Sequence, residues 1–278
     1  MKKLLVPVDF SKDSMNAFDH AIFIANKANA DLRFIHVRKS KDYDEPFVLK
    51  GTESTYGKTV MNFCDQILEE YKPQYTVAKG KIDYVIAHGK IYKAIIEQAK
   101  KDRTDLILMG THGVSGFEEF WVGSNAYRVV CKAPCPVLTI RHGIRRKKIE
   151  RILIPIDAFR DTRQKVPFTA ELAKLFNSEV HVVDFRSSDR ADVKKRLKNY
   201  TEQTFKYLKN MGVNAVKGSK KGTSLVDAII SYAVANEIQV ISIMSNHRGT
   251  PVSLGMSTNA QQLVNHSPIP ILSVHPKK

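Results

Sequence analysis

The chain has 278 residues, 43% hydrophobic and 26% charged, with 14 Gly and 11 Pro, a composition that fits one large or two ordinary globular domains and excludes disordered and collagen-like chains. Cys64, Cys131 and Cys135 are too few for a disulfide scaffold, the N-terminal apolar run is cut by Pro7 and Asp9, and no stretch nears the ~20 apolar residues of a membrane span, so a cytoplasmic protein is expected. The net charge of +16 is uneven: residues 1–140 carry 20 basic against 17 acidic side chains, 141–151 carry 6 against 1, and 152–278 carry 18 against 10. The surplus sits in the run Arg141, Arg145, Arg146, Lys147, Lys148 and Arg151 and around Lys194, Lys195, Arg196 and Lys198. Neither run has interleaved aromatic residues, so both read as solvated surface, and a nucleic-acid partner is not expected.

In chain order, strands are predicted near 3–8, 32–37, 82–87, 105–109 and 136–140, and helices near 13–29, 58–72, 90–101 and 122–132. The polar stretch 39–57, with Pro46, Gly51 and Gly57, reads as a long loop. The pattern then repeats. Leu4-Leu5-Val6-Pro7-Val8-Asp9 returns as Ile152-Leu153-Ile154-Pro155-Ile156-Asp157, an offset of 148, followed by a helical pattern from Thr162 to Asn177 and an apolar run from Val180 to Phe185. Ala133-Pro134-Cys135-Pro136-Val137 likewise returns as Ser267-Pro268-Ile269-Pro270-Ile271. The expected organisation is one domain over 1–142, a basic linker over 143–150 and a second copy over 151–278. Strand–helix alternation implies α/β architecture, two tandem doubly wound, Rossmann-like parallel sheets, with ligands at the carboxyl ends of the strands.

After the strand ending at Met109 comes Gly110-Thr111-His112-Gly113-Val114-Ser115-Gly116-Phe117-Glu118-Glu119-Phe120-Trp121-Val122-Gly123-Ser124, then a helix. Glycines allow close backbone approach, and a helix start offers N–H donors and the positive dipole end, which suits phosphate; an ordinary strand-to-helix loop is the other reading. Neither the P-loop ending nor Gly-x-Gly-x-x-Gly is present. Cys131-x3-Cys135 with His142 lacks a second ligand pair and reads as buried cysteine, so no metal site is expected. His36 ends a strand and reads as a satisfied edge residue, while His112 lies within the loop.

Gly110-x2-Gly113-x9-Gly123-Ser124 resembles the nucleotide loop of the universal stress protein family, and Val6-Pro7-Val8-Asp9 and Ala133-Pro134-Cys135-Pro136-Val137 resemble its first and last strands. The resemblance implies an adenine nucleotide alpha-hydrolase-like fold and a stress-response binding protein holding ATP, or else ADP or AMP, with or without Mg. Asp9 and Val37 would lie near adenine and ribose, and Gly110, Gly113, Gly123 and Ser124 around the phosphates. Pro7, Val8, Met109, His112, Val122 and Asn125 complete the implied nucleotide-binding set. The two copies would pair through their last strands within the chain, with a homodimer and an unidentified protein as further partners.

Several positions depart from the family pattern. Val114 stands where a basic residue is common, Phe10 where glycine is common, and Glu118 and Glu119 would repel polyphosphate unless they point outward or hold a divalent cation. In the second half, Ser245 and Ser257 are aligned with the glycines in a stretch one residue shorter, so no nucleotide is expected there despite Asp157. His247 and Arg248 of that stretch read as exposed loop residues. The loop holds no general base and no Lys or Arg, so no catalytic residue is assigned and ATP hydrolysis would be slow at most. The alternative is an interaction scaffold that binds no nucleotide.

Overall fold

The computed structural model describes residues 1–38, 53–111, 123–141, 143, 148–186, 189–245 and 256–276, without the side chains of 53–58, 160 and 161. The first half runs β1 (Lys3–Pro7), α1 (Lys12–Ala28), β2 (Asp31–Arg38), α2 (Glu53–Tyr71), β3 (Ile82–His88), α3 (Ile91–Asp102), β4 (Leu106–Gly110), α4 (Ser124–Lys132) and β5 (Val137–Ile140). The second repeats it as β6 (Arg151–Ile156), a 3-10 helix (Arg160–Lys165), α5 (Val166–Phe176), β7 (Glu179–Arg186), α6 (Ala191–Asn210), β8 (Ala215–Lys221), α7 (Leu225–Ala235), β9 (Val240–Met244), α8 (Thr258–His266) and β10 (Ile271–Val274).

Strand order is β3-β2-β1-β4-β5-β10-β9-β6-β7-β8 in one ten-stranded sheet. Pairing is parallel within each half, as expected of β-α-β crossovers. In the middle, β5 and β10 run antiparallel, with Leu138 opposite Leu272 and the equivalent residues Val137 and Ile271 placed reciprocally against Ser273 and Thr139. The two last strands therefore pair within the chain about a pseudo-twofold axis. Apolar side chains fill both faces of the strands. One layer packs α1, α2, α5 and α6, through residues such as Phe18, Cys64, Leu172 and Leu197; the other packs α3, α4, α7 and α8, through Ile95, Val129, Ile229 and Leu263. Across the midline Phe23 meets Phe176 at 5.2 Å, and His275 Nε2 lies 2.5 Å from the Val130 carbonyl.

Local signals explain the helix ends. Ser11 caps α1 by accepting from Ser14 N, and Asn29 closes it in the left-handed conformation at φ 50°. Two sequence expectations need correction. The stretch 39–57 is not all loop, because α2 already begins at Glu53; a single Gly57 is tolerated inside a helix at about 1 kcal/mol. The helix predicted from Thr162 is broken into a 3-10 turn and α5, because Pro167 has no N–H for the Arg163 carbonyl and its ring clashes there. The position matching Pro167 in the first half is Asp19, and α1 runs through it unbroken.

The central pairing buries Leu272 completely. Leu272→Ala is expected to lower the unfolding free energy by about 2–5 kcal/mol, read from urea denaturation of the whole chain.

Candidate functional site

The order β3-β2-β1-β4-β5 reverses between β1 and β4, the switch point at which a doubly wound sheet opens a crevice at its strand ends. Here the fold gathers most of the expected residues. Pro7 ends β1, Val8 and Asp9 follow it, Val37 lies near the end of β2, and Met109 and Gly110 end β4. Gly123 N donates to the Thr111 carbonyl at 2.8 Å, which fastens the start of α4, with Ser124 and Asn125, to the end of β4. His112, Gly113, Val114, Glu118, Glu119 and Val122 lie outside the described residues, as do His142, His247 and Arg248.

Asp9 Oδ1 accepts from Ser11 N at 3.1 Å and from Ser11 Oγ at 2.5 Å, so this carboxylate shapes the turn into α1. Phe10 sits at φ 63°, a conformation that favours glycine, which explains why glycine suits this position. Its ring stacks on His36 at 4.6 Å, and His36 Nδ1 lies 2.9 Å from the Val8 carbonyl. His36 is thus a satisfied, buried residue. Burial pushes the Cys64 and Cys135 thiols up to about 12, as inert core cysteines should be. Among the described residues no cluster of three or more His, Cys, Asp or Glu could hold a metal.

The two glycines of this cleft have different reasons to be glycine. A Cβ on Gly110 would lie 2.9 Å from the Asp13 backbone carbon and oxygen, so the first turn of α1 can approach β4 only over a glycine. Among the described residues, a Cβ on Gly123 would meet nothing nearer than the Thr111 carbonyl at 3.4 Å, and its φ of −52° suits any residue. Packing among the described residues therefore does not demand a glycine there.

The second half answers both points differently. Strand register corrects the alignment made from sequence. Leu4 pairs with Leu106 and the equivalent Ile152 with Val240, so Met244 matches Gly110 and Ser245 matches Thr111. The two stretches are then equally long, Gly110 to Gly123 and Met244 to Ser257. Ser257 N donates to the Ser245 carbonyl at 3.1 Å as Gly123 N does to Thr111, but the Ser257 side chain also caps α8 by accepting from Ala260 N. The start of α4 has no side-chain cap.

The second cleft also holds a residue that the sequence reading passed over. Lys165 is 2% exposed, and its Nζ donates to the Thr162 carbonyl at 2.8 Å. Asp157 Oδ1 accepts from Phe159 N at 2.9 Å and from Thr162 Oγ1 at 2.6 Å. Burial pushes the Lys165 ammonium down to about 8, opposed by the nearby Asp157 carboxylate. Lys165, Thr162 and Asp157 line a cavity of about 100 Å³ with Phe159, Phe185 and Ile229. The signal was present in the repeat: an offset of 148 puts Lys165 on Ala17, which is fully buried.

Two contrasts test these assignments. Gly110→Ala is expected to cost about 1–3 kcal/mol in urea unfolding by overpacking, and Gly123→Ala to stay within about 0.5 kcal/mol. Lys165→Met removes a buried charge and is expected to stabilise the protein by about 1–3 kcal/mol at pH 7. Because the folded state holds this proton less tightly than the unfolded chain, wild-type stability rises as pH climbs from about 8 towards 10.5, and the advantage of Lys165→Met shrinks over that window.

Comparison with known proteins agrees with this fold. Residues 1–141 and 148–275 each match the universal stress protein family. A universal stress protein of Methanocaldococcus jannaschii is 33% identical over 143 residues, covering 50% of this chain and 82% of that protein. Universal stress protein YxiE of Bacillus subtilis is 29% identical over 150 residues, covering 50% and 98% respectively. The crystal structure of a universal stress protein from Archaeoglobus fulgidus shares the fold over 98% of both chains, with a TM-score of 0.76 at 17% identity. With the family matched on both halves and the fold matched from end to end, this chain belongs to the universal stress protein family.

Proposed function

We propose that the protein binds an adenine nucleotide, ATP foremost, in the strand-end cleft of its first half, and that it acts as a stress-response binding protein rather than an enzyme. The observation that carries this reading is the uncapped start of α4 at Gly123. No contact among the described residues requires glycine there, and the matching Ser257 fills the same position with a side-chain cap. A glycine at that point leaves backbone N–H groups and the positive end of the helix dipole available to phosphate. Adenine and ribose would lie by Asp9 and Val37, at the adjoining ends of β1 and β2, with Ser124 and Asn125 towards the phosphates. The second half lacks both glycines, which supports nucleotide binding at a single cleft per chain. ADP and AMP are the shorter ligands of the same site, and Mg would accompany the polyphosphate.

The test is thermal unfolding of the whole chain with Mg-ATP, ADP, AMP and cAMP. Saturating Mg-ATP should stabilise the wild type by about 2.7 kcal/mol at a hundredfold excess over its dissociation constant. Gly123→Ser, which installs the cap found in α8, should fold normally and lose that shift. An equal shift in both proteins, or none in either, would count against the cleft and favour the interaction scaffold.

A further inference from the structure

We propose that the strand-end cavity of the second half holds a small monoanion of the carboxylate class, with the Lys165 ammonium as its recognition group. The inference does not depend on nucleotide binding in the first half. An ammonium has three N–H donors, and among the described residues Lys165 Nζ meets one acceptor, the Thr162 carbonyl. The Asp157 carboxylate is its charged neighbour, but Asp157 Oδ1 is already held by Phe159 N and Thr162 Oγ1. A buried cation with unfilled donors is costly unless something else completes its shell. Lys165 lines a cavity of about 100 Å³, where an anion could do so.

The other walls fit the same ligand. Asn259 and Ala260, in the first turn of α8, also line the cavity; Ala260 N is taken by the Ser257 cap, so this helix end adds only the residual positive field of its dipole. Phe185, Ile229 and Ile243 supply apolar walls that strengthen charge–charge attraction. Pockets for drug-sized ligands measure about 300–1,000 Å³, so this one admits only a few heavy atoms and excludes a nucleoside. Asp157 already offsets part of the Lys165 charge, so a ligand of more than one negative charge is disfavoured and a polyphosphate is excluded. The matching residue in the first half is the fully buried Ala17, so the fold itself has no need of a cation here.

The experiment uses the whole chain at pH 7 with potassium acetate, compared with potassium chloride, phosphate and ATP at equal ionic strength. Labelling of Lys165 by an amine-acylating reagent is followed by peptide mass analysis, and thermal unfolding is followed in parallel. At tenfold excess over its dissociation constant, acetate should leave about one-tenth of the Lys165 labelling rate. It should also raise the melting midpoint of the wild type and of Gly123→Ser, but not of Lys165→Met or Lys165→Gln. Equal effects of acetate and chloride, or no protection by either, would mean that water alone solvates the ammonium and would overturn the proposal. An acetate shift that persists in both Lys165 variants, or Lys165 protection by ATP but not by acetate, would overturn it as well. Loss of the ATP shift in Gly123→Ser with the acetate shift retained keeps the two clefts distinguishable.

Discussion

The antiparallel pairing of β5 with β10 is the constraint from which the rest of the molecule follows. Each half leaves its last strand at an edge of its own sheet, and an unpaired edge of buried, Val- and Ile-rich strand is an invitation to aggregate. Joining the two edges about a pseudo-twofold axis satisfies both ladders and makes one sheet of ten strands. It also fixes the direction of chemistry. Strands point one way in the first half and the opposite way in the second, so the two strand-end clefts open on opposite edges of the sheet. Each cleft must therefore be read by its own residues.

Within that shared frame the halves have diverged at a few positions with large consequences. Gly110 lets α1 begin tight against β4, whereas Met244 occupies the matching place in the second half. There the chain enters its helix through a 3-10 turn imposed by Pro167. The remodelled turn carries Thr162 and Lys165, which face the same Asp157 whose counterpart, Asp9, accepts from Ser11. The hydroxyl is kept, from Ser14 to Thr162, and an ammonium stands where the first half has the buried Ala17. One fold thus carries a small, charged cavity in its second copy, built from residues the first copy does not share.

The charge surplus of the second half has a structural use as well. β8 is an outer edge of the sheet, and its exposed Lys217, Lys220 and Lys221 are the kind of residue that blocks edge-to-edge pairing. Lys217 pairs with Glu202 and Lys221 with Asp189, both from the α6 side. At the opposite edge Asp83 of β3 takes Arg33 and Lys81, at 2.7 and 2.8 Å, an ion cluster with the same effect. Surface pairs of this kind add little stability, so protection of the edges is the better account of their placement.

The sequence by itself determined the architecture. The 148-residue repeat and the period of the apolar runs were sufficient for two doubly wound halves, and with them for strand ends that bring Asp9, Val37 and Gly123 to the carboxyl-end side of the first half's strands. Those features are local, and local pattern survives in a linear reading. What only the tertiary structure decided depends on register and on contact. Sequence alignment set Ser245 against Gly110, and only the pairing of β6 with β9 revealed Met244 as the match, since a one-residue shift leaves an apolar run looking the same. Gly110 and Gly123 are the same letter in the sequence, yet one is held by the backbone of Asp13 and the other, among the described residues, meets only the Thr111 carbonyl at 3.4 Å. Lys165 carried no mark in the sequence that set it apart, because burial is a property of what packs against a residue and not of the residue itself.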